Sequence, residues 1–124
     1  MANIPTPQDA EIFAKSVKKY QLLLSLGDWR IEKGSKPAKA AMASVEFNAS
    51  ARLATYRLGD FGAEKITPES LDRTALHELL PVFLHDLMTV AQDPKSSQDE
   101  VEMQEHRIIN LLENLLSKDS HGVK

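Results

Sequence analysis

Residues 74–87 read Thr-Ala-Leu-His-Glu-Leu-Leu-Pro-Val-Phe-Leu-His-Asp-Leu, and their periodicity predicts a helix. Leu76, Leu79, Leu80, Phe83, Leu84 and Leu87 recur at three- and four-residue intervals, which gathers them on one wide apolar face. Upstream, Thr67 is suited to the N-cap and Pro68 to the first helical position, where its missing N–H costs nothing. The pattern continues to about Gln92, and Asp93-Pro94 stops it. Pro81 falls in the middle, where it deletes one backbone hydrogen bond, so a kink or a split is expected there.

Towards the N-terminus, Thr6, Pro7 and Asp9 supply a cap, a first position and a Thr-x-x-Asp box for another helix. Phe13, Val17, Tyr20 and Leu24 follow at helical spacing, with Lys15, Lys18 and Lys19 largely on another face and Gly27 as the expected stop. Trp29–Lys33 then alternates apolar and polar, as a half-buried strand does, and Gly34-Ser35-Lys36-Pro37 breaks it. Ala41, Ala43, Val45 and Phe47 alternate with Met42, Ser44 and Glu46 in a second strand. Asn48-Ala49-Ser50 is a turn, and Leu53–Leu58 is a third strand with Ala54, Tyr56 and Leu58 on one side. Three neighbouring strands with short connections predict an antiparallel meander.

After the Pro81 helix, Gln98 to Ser117 reads as a last helix, with Val101, Glu105, Ile108, Leu112 and Leu115 on one stripe. The expected fold is therefore α+β: an N-terminal helix, a three-stranded antiparallel sheet, a helix kinked at Pro81 and a C-terminal helix. One domain is expected over residues 1–117, followed by a flexible tail at 118–124.

Composition narrows the function classes. At 124 residues the chain can bury a modest single core, and 42% apolar with 27% charged residues is ordinary for a soluble globular domain. A net charge of −3 argues against a nucleic-acid partner, which calls for a basic footprint. Without cysteine there is no disulfide, thiolate zinc site or thiol nucleophile, and a cytoplasmic location is expected. No secretory signal pattern opens the chain, and no apolar run approaches membrane-spanning length. A glycine-rich phosphate loop and a G-x-S-x-G elbow are likewise missing.

The chemistry concentrates at His77-Glu78-Leu79-Leu80-Pro81. In H-E-x-x-H, two histidines one helical turn apart hold Zn²⁺ on one face while the glutamate activates the metal-bound water. His77 and Glu78 are present, but Pro81 occupies the second ligand position and has no donor atom. Glu105 is the one glutamate on the apolar stripe of the last helix. An inward carboxylate needs a cation, a donor or a metal, with His77 as the natural companion. Equally, His77 can be an ordinary hydrogen-bonded histidine at an apolar margin, and Glu105 a solvated residue at the stripe's edge.

Taken together, Trp29-Arg30-Ile31, the Leu53–Leu58 strand, Thr74–Leu80 and Glu105-His106-Arg107-Ile108-Ile109-Asn110 resemble the small zincin-type metallopeptidases. These include SprT-like proteins and the compact members of phages and prophages. The resemblance implies that His77 matches the first zinc ligand, Glu78 the general base and Glu105 the third ligand, while Pro81 fails the second ligand position. Three readings stand. The chain is a metallopeptidase-like protein impaired in catalysis, with no cofactor, acting as a protein-binding or regulatory module of phage or prophage origin. Or it is a zinc-dependent hydrolase that completes its shell with His85, Asp86 or another residue. Or it is an unrelated α+β interaction domain. The first carries the expectation of a protein or peptide partner.

Overall fold

Thr6 closes the first turn of α1 (Pro7–Leu23): its side chain accepts from the Asp9 N–H at 3.1 Å, and Asp9 accepts from the Thr6 N–H at 2.9 Å. Both orphan donors of the helix start are thereby satisfied. In the computed structural model, which describes residues 2–122 and the side chains of residues 2–116, the chain continues through β1 (Arg30–Lys33), β2 (Ala43–Asn48) and β3 (Leu53–Leu58). It then forms α2 (Pro68–Gln92) and α3 (Gln98–Gly122). The α+β class and the element order are those expected. The helix α3 runs to Gly122, past its expected end at Ser117, and residues 123–124 of the expected tail lie outside the described residues.

The helix α1 stops before Gly27. Ser25 takes the left-handed conformation at φ 56°, with the Leu26 N–H donating to Gln21 O and the Ser25 N–H to Leu22 O. This is a Schellman closure made by serine rather than glycine, and it turns Leu24 and Leu26 into the core.

The sheet is mixed, which corrects the expected meander. Its order is β1-β3-β2: β2 pairs antiparallel with β3, and β1 pairs with β3 in parallel. Residues 34–42 carry the chain from one edge to the other, wrapping the end of β3. Gly34 N–H donates to Tyr56 O, Ala38 N–H to Leu58 O, and Gly59 N–H to Met42 O. A Cβ at Gly59 would lie 2.2 Å from Ala41 O, so the crossover closes this tightly only over a glycine.

The chain separates into two compact units, Met1–Val82 and Phe83–Lys124. In the first, Phe13, Val17, Trp29, Ala54, Tyr56, Leu71, Ala75 and Leu79 are buried. The Phe13 and Tyr56 rings meet at 5.4 Å and join α1 to β3, and Trp29 meets Phe47 edge-on at 5.8 Å. Each fully buried side chain of this size stabilises the fold by about 1.5–3 kcal/mol.

In the second unit, Ser97 caps α3 by accepting from the Glu100 N–H at 3.2 Å, and Arg107 on α3 lies 3.8 Å from Asp86 on α2. The sheltered stripe of α3 is Val101, Gln104, Ile108, Leu111 and Leu115, whereas Glu105 and Leu112 are exposed. Glu105 is therefore not inward-facing; Gln104 and Leu111 take the places expected for Glu105 and Leu112, while Val101, Ile108 and Leu115 stay on the stripe. Of the kink or split expected at Pro81, the split does not occur: α2 is continuous through Pro81, and Pro81 is exposed. Among the described residues no helix is long and apolar enough to cross a membrane.

Candidate functional site

The helix α2 begins with a reciprocal cap. The Ser70 N–H donates to the Thr67 hydroxyl at 3.0 Å, and the Thr67 N–H donates to the Ser70 hydroxyl at 2.9 Å. Leu71, Ala75 and Leu79 lock one face of the following turns into the core, and this fixes the rotation of the opposite face. Arg73 and His77 are one turn apart, as are Thr74 and Glu78, so the four side chains project as neighbours. They form one wall of a groove of about 370 Å³, whose other wall is Ala41, Met42 and Ala43 at the start of β2.

Within this groove the charges are unevenly matched. Arg73 reaches Glu64 at 3.5 Å, and Thr74 donates its hydroxyl hydrogen to Ser70 O at 2.7 Å. His77 is exposed at the rim, and Glu78 is half-buried. No hydrogen bond or ion pair to Glu78 occurs among the described residues. Burial pushes its carboxyl above the usual range, and the neighbouring His77 offsets this only in part. The groove thus presents a carboxylate partly withdrawn from water beside an edge strand. β2 is an edge strand: it pairs with β3 on one side and with no second strand among the described residues.

The residues expected to bind zinc are distributed as follows. His77 and Glu78 share the groove; Pro81, one turn beyond His77, contributes no donor; and Glu105 lies exposed in the other compact unit. His85 Nε2 is 3.3 Å from the Thr89 hydroxyl, and Asp86 faces Arg107. Among the described residues no group of three or more His, Asp and Glu could hold a metal ion.

Sequence reasoning missed a second polar centre. Asp72 accepts from Ser16 at 2.8 Å, Lys19 at 2.6 Å and Tyr20 at 2.5 Å, at one side of a cleft of about 580 Å³ between α1 and α2. Burial pushes the Asp72 carboxyl up, but the donors from Lys19, Tyr20 and Ser16 together outweigh it and hold it below the usual range. The three donors converge on one carboxylate, which marks the cluster as a clip between helices rather than an activated nucleophile. Ser16, Lys19 and Tyr20 at helical spacing were the available signal; their partner lies too far along the chain to be read from it.

Compared with models of protein families, with curated proteins and with solved structures, the chain matches none.

Proposed function

We propose that this chain is a metallopeptidase-like protein without hydrolytic activity that works as a protein-binding module. It takes an extended segment of its partner along the free edge of β2, beside the His77–Glu78 groove. One observation carries the reading: the groove sets the start of an edge strand against the helix turn that bears the two retained motif residues. An added strand gains main-chain hydrogen bonds from the edge, while the groove selects among side chains. Pro81 removes the second donor a bound zinc ion would need, so Glu78 has no metal-bound water to activate. A regulatory role follows if the bound partner is occupied rather than cut. The resemblance in sequence extends the proposal to a phage or prophage origin, and the cysteine-free composition to a cytoplasmic setting.

The test uses a fluorescence-quenched library of octapeptides, with the full chain and added zinc. The proposal expects no cleavage above that of a His77→Ala, Glu78→Gln control, together with saturable quenching-independent binding of a subset by fluorescence anisotropy. Zinc-dependent cleavage lost in that control would overturn it.

A further inference from the structure

We propose that the groove beside β2 receives the cationic side chain of a lysine or arginine, carried by an extended peptide laid along the free edge of that strand. The inference rests on the peptide-binding reading above and adds what the bound segment must carry. Glu78 is the reason. Its carboxylate lines the groove half-buried, with no hydrogen bond or ion pair among the described residues. A carboxylate withdrawn from water is costly until a cation or donor meets it. Arg73, which also lines the groove, is turned towards Glu64, 3.5 Å away. His77, which also lines the groove, is exposed, whereas Glu78 is half-buried.

The opposite wall suits the rest of such a side chain. Ala41 and Ala43 are small, and Met42 is unbranched and adaptable, so the wall can cover a methylene stem while the charged end reaches Glu78. An added strand presents successive side chains to alternate faces, so one basic residue suffices for recognition and its neighbours serve the edge.

The experiment titrates the ¹⁵N-labelled chain with four acetylated, amidated hexapeptides, Thr-Val-Xaa-Val-Thr-Val, in which Xaa is lysine, arginine, norleucine or glutamate. The lysine and arginine peptides are expected to shift the Ala43–Asn48 amides and to bind at least tenfold more tightly than the norleucine peptide. In Glu78→Gln that preference is expected to vanish. Equal binding of lysine and norleucine, or a preference for glutamate, with the β2 amides still moving, overturns the cation requirement while peptide binding stands. No β2 shift with any of the four peptides overturns peptide binding at this edge itself. The lysine–norleucine comparison uses the unaltered chain, so it decides the matter even if the variant misfolds.

Discussion

The Tyr20 hydroxyl donates a 2.5 Å hydrogen bond to the Asp72 carboxylate, joining α1 to α2 across 52 positions of sequence. Ser16 and Lys19 donate to the same carboxylate, so one side chain fixes the two helices against each other. Hydrogen bonds to a charged group are worth about 1.5–3 kcal/mol each when sheltered, and less where solvent screens them. Asp72→Ala is therefore expected to cost about 2 kcal/mol and Tyr20→Phe about 1 kcal/mol, read as lowered midpoints in urea with unchanged slopes.

The same carboxylate sets an acid limit. Asp72 is held below its ordinary value, so its contribution is complete above about pH 4, the unfolded carboxylate range, and is lost as pH falls through the lower folded value. Urea midpoints measured between pH 2 and pH 6 are expected to fall more steeply on the acid side for the parent chain than for Asp72→Ala.

Glu78 has the opposite sign. Its folded carboxyl holds a proton more tightly than the unfolded one, so stability declines as pH rises from about 4 through the folded value. Glu78→Gln is expected to remove that decline and to stabilise the chain by about 0.5 kcal/mol at pH 7, a figure reduced for partial exposure. A thermal-melt series from pH 4 to pH 8 checks it. A substitution that stabilises the fold yet abolishes recognition of a basic peptide marks Glu78 as kept for binding.

Gly59 is the point at which the sheet order is vulnerable. A methyl group there meets Ala41 O at 2.2 Å and Ala38 O at 2.8 Å, both backbone atoms that cannot swing aside. Gly59→Ala is expected to cost about 3 kcal/mol through overpacking, with hydrogen exchange rising first at Ala38 and Gly59.

Pro81→His tests what the motif retains. The exposed position one turn beyond His77 would then carry an imidazole on the same helical face. Isothermal titration is expected to show zinc binding at least tenfold tighter than in the parent chain, lost again when His77→Ala is added.

Local chemistry was legible in the sequence. The Thr6–Asp9 box, the Thr67 cap and the Leu53–Leu58 strand all follow from residues within a few positions of one another, while β1 begins one residue and β2 two residues later than their alternation suggested, and β2 takes in Asn48. The sheet order did not, because the alternation in Arg30–Lys33 is the same whichever strand it pairs with. A distant contact, the crossover closing over Gly59, decides it. The rotation of α3 was ambiguous for a different reason: Leu111 and Leu112 are both leucines, so two overlapping stripes, sharing Val101, Ile108 and Leu115 and centred about 40° apart, fit the same periodicity. Choosing the wrong one turned Glu105 inward. The groove was half legible: the His77-Glu78 motif pointed to its helical wall, but the Ala41–Ala43 wall needed the tertiary fold. Of the Asp72 cluster only the Ser16, Lys19 and Tyr20 spacing was legible; their acceptor lies 52 to 56 positions away.

The most direct test of the central claim is a map of amide shifts on the ¹⁵N-labelled chain titrated with a pooled library of extended hexapeptides, zinc being present. The account predicts saturable shifts confined to Ala43–Asn48 and to residues 73–78, with the peptides recovered intact. Shifts that avoid both segments, or peptides recovered as fragments, would contradict it.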